Sequence, residues 1–469
     1  MPPSLALFLW FVLLMALLYW DPAKDRRVSA AVWVPIIWLF ILGSRLPSQW
    51  LGGSTGSAAL SLEEGNPIDR TISLALILLA LGILVARSFR WGDFFTRNLA
   101  LTAFLGYALV SVVWSDFPFV AFKRWFRDLG NYLMVLVVLS APEPLEAVRT
   151  LLRRLGYLLI PLSVLLVKYY PELARGYDAW SGAAITVGAT TSKNMLGVAC
   201  QISGLYFFWD TVTRWSHRKE RRTKRILFVN SAFIAMTLWL LNLSSSTTSR
   251  VCLALGCLVI VAARSKVFQR HPTFLKTVIP ASFILYMILA FGFGMSGDMA
   301  GAVGKDPTLT DRTKIWTFVL KMHTNPLIGT GYESFWMGSR LAWFWQEAGL
   351  GQINEAHNGF LEVYLQLGAL GVCFLSGFLI ASYRNICIRL KALSPQASLS
   401  MALWIVLLFY SVTEAGFRSN LILVVFLLGA MVVPRTVPRS SAQNRAPRAR
   451  ELSNASTHLP METTGQVNI

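Results

Sequence analysis

The chain has 469 residues, 43 Lys and Arg against 24 Asp and Glu, and a formal net charge of +19. Hydrophobic residues make up 55% and charged residues only 14%, against roughly 25% charged in an ordinary soluble domain. These values exclude a disordered chain, a collagen-like fibre and a soluble enzyme, and they turn the basic excess from a nucleic-acid signal into a question of membrane orientation.

Apolar runs of about 17 to 25 residues predict spanning helices. Thirteen are found in chain order, at 4–20, 28–44, 71–86, 99–114, 129–141, 155–169, 195–213, 226–243, 251–263, 277–295, 359–383, 399–412 and 421–433. No Lys or Arg precedes the first run, so it does not read as a signal peptide. Lys24, Arg26 and Arg27 follow it, which predicts an outer N-terminus and an inner 21–27 loop. Strict alternation then puts 28 of the 43 cations but 9 of the 24 acidic residues on the inner side. The whole excess of +19 lies on one face, and the outer face is neutral. The expected fold is an all-α polytopic membrane domain over 1–433, with about 12–13 transmembrane helices. The basic, Pro- and Ser-rich stretch 434–469 reads as a disordered cytoplasmic tail.

The inner loop HRKERRTKR, 217–225, reads as a topology determinant lying on anionic lipid. Five cysteines form no CxxC pair, and no P-loop, HExxH or DxD pair occurs. Two outer loops are long. The first, 45–70, is Gly/Ser-rich and reads as a flexible cover. The second, 296–358, holds a predicted helix in which Thr310 or Asp311 is the N-cap. Ile315, Phe318, Val319 and Met322 have helical spacing, and Asn325-Pro326 is the stop. A turn at Gly329-Thr330-Gly331 follows, then Trp336, Trp343 and Trp345, so the loop reads as a lid at the membrane surface.

On a neutral outer face the positions of the cations matter. Lys123, Arg124 and Arg127 share one helical face just outside a span. Arg250 follows six hydroxyl residues and opens the span 251–263. A cation there opposes the helix dipole by ~0.3–1 kcal/mol, and a bound anion would reverse the sign. Arg312 repeats the arrangement at the start of the outer helix. Competing readings are lipid phosphate for Arg250, and a salt bridge to Asp311 or Glu355 for Arg312. His357 stands at the outer N-terminus of the span 359–383. The positive helix end favours neutral imidazole, the form a general base needs. The competing reading is a helix-start histidine satisfied by Glu355 or Asn354. Glu414 and Arg418, spaced i,i+4, are expected to pair with each other.

Four stretches carry a likeness to a known family. They are WSDFPFVAFKRWFRDLG (114–130), DAWSGAAITVGATTSKNMLG (178–197), SSSTTSRVCLALG (244–256), and DRTKIWTFVLKMHTNPLIGTGYESF leading to EAHNGFLEVYLQLGALG (311–371). In this order they resemble the bacterial O-antigen ligase and exopolysaccharide polymerase superfamily. The resemblance implies a GT-C-like membrane glycosyltransferase of the inner membrane, with one large periplasmic loop. It implies a polyprenyl-diphosphate-linked glycan donor, and a glycan or lipid A-core acceptor. No metal or cofactor is implied, and inversion at the anomeric centre is. A flippase and a chain-length regulator of the same pathway are the implied protein partners, and nucleic acid is not one. By motif position Arg250 and Arg312 take the diphosphate, with Lys123, Arg124 and Arg127 as further phosphate contacts. His357 activates the acceptor. Lys193, Asn194, Glu355 and Asn358 are further expected substrate contacts, although Ser192 stands where the family often has His or Thr. The rival reading is a transporter of a polysaccharide precursor or other anionic solute. It is weakened by the lack of an internal repeat.

Overall fold

The computed structural model describes residues 1–21, 30–52, 65–177, 182, 184–265, 272–288, 310–349, 352–392 and 394–434. The basic residues of the 21–27 loop, the GGSTGS stretch, much of 178–183, the loop portion 289–309 and the tail beyond Pro434 lie outside them.

Sixteen helices organise the described residues. They are α1 Pro3–Tyr19, α2 Trp33–Leu42, α3 Pro67–Ala86, α4 Trp91–Arg97, α5 Leu99–Val110, α6 Pro118–Leu139, α7 Pro144–Tyr169 and α8 Lys193–Arg214. They continue as α9 Arg221–Leu243, α10 Thr247–Arg264, α11 Pro272–Met287, α12 Thr310–Lys321, α13 Gly338–Ala348, α14 Gly359–Lys391, α15 Pro395–Thr413 and α16 Leu421–Ala430. Two single-turn α-helices, three 3-10 turns and one antiparallel pair, β1 Arg175–Tyr177 with β2 Ala184–Thr186, decorate the connections among the described residues. The protein is an all-α polytopic membrane protein.

Each of the thirteen expected runs overlaps a helix. Six helices are long and apolar enough to cross a bilayer, and a seventh crossing is possible if α4 and the 99–114 helix, bent by 98°, act as one span. The two ten-residue helices α2 and α16 rise only ~15 Å, half a hydrocarbon core, so composition overstated them as complete spans. All ten residues of α16 are buried, which explains its unbroken apolar sequence: it is a core element walled by α15, α6 and α14. The outer ring is the opposite case. α1 and α3 leave Phe8, Phe11, Leu78 and Leu79 exposed, the surface a lipid-facing helix presents.

Small residues let the helices approach. A Cβ at Gly130 would meet the Trp38 ring at 2.6 Å, and one at Gly197 would meet Ser249 Oγ at 2.5 Å. Buried ion pairs tie the sequence-inner ends: Asp21 pairs with Arg153 and Arg154, and Asp210 holds Arg214 and the Asn230 amide.

Helix α14 is broken. Gly368 has φ 64 and ψ −168, which no residue inside a helix adopts. The freed backbone is paired with the segment that follows α12: Thr330 and Gly331 N–H donate to Leu365 and Gln366, and Ala369 and Leu370 N–H donate to Pro326 and Leu327. The stretch read from sequence as a surface turn is thus pressed against the break. A Cβ at Gly368 would sit 2.2 Å from the Leu327 carbonyl carbon, and one at Gly329 2.4 Å from Gln366 backbone. Glycine is required on both sides of this contact.

Candidate active site

The site grows from the segment between α13 and α14. Asn358 caps α14, its Oδ1 accepting from Phe360 and Leu361 N–H. This fixes its side-chain oxygen as a structural group, so the expected substrate contact of Asn358 is confined to its amide nitrogen. His357, immediately before the cap, has φ 48, a left-handed conformation that a non-glycine residue adopts rarely.

The His357 ring lies against two carboxylates. Nδ1 is 2.9 Å from Glu355 Oε1 and 3.3 Å from Glu414 Oε2. Glu414 is the hub: Arg312 Nη2 is 2.6 Å from Oε1, and Asn194 Nδ2 donates to Oε2 at 3.0 Å. The Glu414 side chain is only 5% exposed, so these contacts operate in a poorly screened setting. Four remote parts of the chain therefore meet at one point: the start of α8, the start of α12, the loop before α14 and the end of α15.

Sequence reasoning missed Glu414 as a partner of these groups. It paired Glu414 with Arg418, and the structure corrects this. Helix α15 stops at Thr413, and Glu414 has extended backbone (φ −147, ψ 161), so the i,i+4 relation does not exist. Arg418 instead pairs with Glu333 at 3.0 Å and donates to the Asn354 carbonyl. The helix break after Thr413 is signalled weakly, by Gly416 two residues on.

The expectation of a neutral His357 is also overturned. Burial lowers the imidazole pKa, but Glu355 and Glu414 outweigh it and push it up to about 10. The helix-end effect assumed from sequence is small beside two carboxylates at hydrogen-bond range. Burial alone would raise the Glu355 carboxyl, yet the imidazole holds it down at about 2. Burial likewise opposes ionisation of Glu414, and Arg312 and His357 keep it below the usual carboxylate range.

The remaining expected residues divide. Arg312 is in the cluster, paired with Glu414 and not with Glu355. Asn194 is in it, and Lys193 is its neighbour on the first turn of α8. Arg250 lies at the edge. It is exposed on the first turn of α10, two residues after Thr248, whose hydroxyl meets that of Thr413 at 3.1 Å. Lys123, Arg124 and Arg127 turn to different partners. Lys123 lies over the Phe119 ring at 4.8 Å, Arg124 donates to the Glu333 carbonyl at 2.5 Å, and Arg127 pairs with Asp128 at 3.0 Å. Helical spacing gives a shared face, but neighbouring acceptors decide where each guanidinium turns.

A divalent cation has a conceivable seat here, because Glu355, His357 and Glu414 each present a ligand atom within 4.8 Å of the others. A dication there would need His357 in its neutral form and would compete with Arg312 for Glu414.

The first and fourth of the stretches that carried the family likeness lie against each other. Trp114 Nε1 donates to the Ile328 carbonyl, Ser115 Oγ meets Ser334 Oγ, Arg340 pairs with Asp116, and Tyr332 OH donates to Asp128. The first stretch thereby carries the lid loop of the fourth. Comparison with known proteins agrees. Residues 230–376 match the O-antigen ligase family. The chain is also 27% identical over 305 residues to the exopolysaccharide production protein ExoQ of Rhizobium meliloti (strain 1021). That alignment covers 62% of this chain and 65% of the relative's length. Both findings support the O-antigen ligase and polysaccharide polymerase superfamily.

Proposed function

We propose that the protein is a membrane glycosyltransferase that moves a glycan from polyprenyl diphosphate to a sugar hydroxyl at the periplasmic face of the bacterial inner membrane. The observation that carries this reading is the junction at Glu414, where an arginine and a histidine from opposite ends of the 310–358 segment are held against one buried carboxylate. The N-terminus is periplasmic and the C-terminal tail cytoplasmic, as the charge asymmetry favours.

The proposed chemistry uses these groups as follows. The acceptor hydroxyl attacks the anomeric carbon from the face opposite the diphosphate, so the configuration inverts. The bond from that carbon to the diphosphate oxygen breaks, and its electron pair leaves with polyprenyl diphosphate. The hydroxyl proton passes to Nε2 of His357 in its neutral form. Glu355 and Glu414 at Nδ1 orient the ring and stabilise the imidazolium that forms, the role a carboxylate plays behind any catalytic histidine. Arg312 and Arg250 stabilise charge growing on the leaving group as fixed cations, without need of a metal. Arg312 must exchange part of its ion pair with Glu414 for the phosphate.

The similarity to a protein of exopolysaccharide production favours polymerisation over ligation to lipid A-core. The flippase and the chain-length regulator of the same pathway are its proposed partners. The test is purified protein in lipid nanodiscs with a lipid-linked repeat unit, products being sized on a gel. A ladder is expected, and a single addition to core would make it a ligase. His357→Ala, still delivered to the membrane, is expected to give no ladder. Normal polymer in that variant would end the general-base assignment. Movement of intact precursor across the bilayer without bond formation would instead favour the transporter.

A further inference from the structure

The His357 backbone is gripped from both sides. On the C-terminal side Asn358 is locked as the cap of α14. On the N-terminal side the grip falls on Ala356, which is fully buried. Its N–H donates to Glu362 Oε1, and its carbonyl accepts from Trp316 Nε1 at 2.8 Å. These contacts fix the two peptide planes that precede the left-handed turn at His357.

Neither partner touches the reacting groups. Trp316 lies four residues after Arg312, on the same face of α12, so one helix delivers both the Glu414 counter-charge and the Ala356 clamp. Glu362 is 1% exposed on the first turn of α14. Besides Ala356 it accepts from Trp336 Nε1 at 3.0 Å and Gln366 Nε2 at 3.3 Å. Three donors converge on its two oxygens, a demand that an acceptor-only carboxylate meets and an amide meets in part. A left-handed residue costs free energy and persists only where its surroundings over-determine it. Ala356 is where they do so.

From this geometry we infer that Glu362 and Trp316 are positioning residues for His357, holding the Ala356 peptides so that the imidazole stays between Glu355 and Glu414 with Nε2 turned to the acceptor. The inference rests on the proposed role of His357. Trp316 and Glu362 set the rate of the proton transfer and leave substrate binding alone.

The experiment measures kcat and both KM values for the full-length protein in nanodiscs, with lipid-linked repeat as donor and acceptor, for W316F, E362A, E362Q and H357A. Phenylalanine keeps an aromatic ring in the apolar cluster while removing the indole N–H and its five-membered ring, so W316F is expected to fold. Misplacement of a catalytic group by about 1 Å costs up to about 100-fold. W316F is expected to lose about tenfold and E362A about 100-fold in kcat, with both KM values within about twofold of wild type. E362Q, which keeps an oxygen for the Ala356 N–H, is expected to recover most of the E362A loss. Wild-type kcat in W316F would overturn the inference. So would KM values that rise in step with the fall in kcat, or E362Q no better than E362A. Full activity in H357A would instead sink the general-base reading itself, a separate outcome.

Discussion

Replacing Glu355 by Gln tests the electrostatics of the site most directly. Glu355 is the nearer of the two carboxylates on His357 Nδ1, at 2.9 Å against 3.3 Å for Glu414. With both in place the imidazole titrates at about 10, so at pH 8 only about 1% of molecules carry the neutral base. Glutamine preserves the shape and can still accept from Nδ1–H, but it withdraws the charge that favours imidazolium. The pKa must therefore fall. The assay is kcat/KM for polymer formation across pH in nanodiscs. Wild type is expected to climb with pH through about 10. Glu355→Gln is expected to climb at lower pH, to a reduced plateau, because a weaker base meets a less stabilised imidazolium. A rising limb that stays where it is in wild type, or moves alkaline, would refute the reasoning. The same pairing bears on stability. The His357 contribution is present below its unfolded pKa of ~6.5 and is lost as pH rises through about 10. The Glu355 contribution is present above its unfolded value and is lost as pH falls to about 2.

Three further outcomes are expected. Glu414→Gln should lower the donor KM, because Arg312 meets the diphosphate without giving up an ion pair, while kcat falls about tenfold as His357 loses a carboxylate; a raised donor KM would count against that role for Arg312. Arg250→Lys should be within about threefold of Arg250→Ala in lost activity, since a point charge does not replace a bidentate fork. Full activity in the lysine variant would reduce Arg250 to a diffuse charge. Gly368→Ala should cost at least about 2 kcal/mol, from the positive φ alone, before the clash with Leu327. It is read as lost yield of monodisperse protein in detergent, and wild-type yield would show that the break in α14 is not obligatory.

Much of the fold was legible because the bilayer simplifies it. Spanning helices must satisfy their backbone internally, so long apolar runs have few alternatives, and every run read from sequence overlaps a helix among the described residues. The outer helix was equally legible: Ile315 and Val319, placed on its apolar face by spacing, are fully buried. Composition failed where burial, rather than lipid, selected apolar residues. α16 reads like a span but is a ten-residue core helix. The break at Gly368 was hidden too, because what it pairs with, 326–331, lies some 40 residues earlier in the chain and has the appearance of an ordinary Gly-containing turn.

The candidate site divides in the same way. Sequence alone determined the residue types and gave an expectation for their side of the membrane: arginines at two helix starts and a histidine before a third, on a face expected to be outer and of zero net charge. That was possible because topology and helix ends are local properties. Which charges meet was decided only by the tertiary structure. The end of α15 at Thr413 frees Glu414 from Arg418 and delivers it to Arg312, His357 and Asn194. Coulombic energy grows steeply as separation falls in a buried setting, so carboxylates at 2.9 and 3.3 Å outweigh a helix end and raise the imidazole pKa rather than lower it.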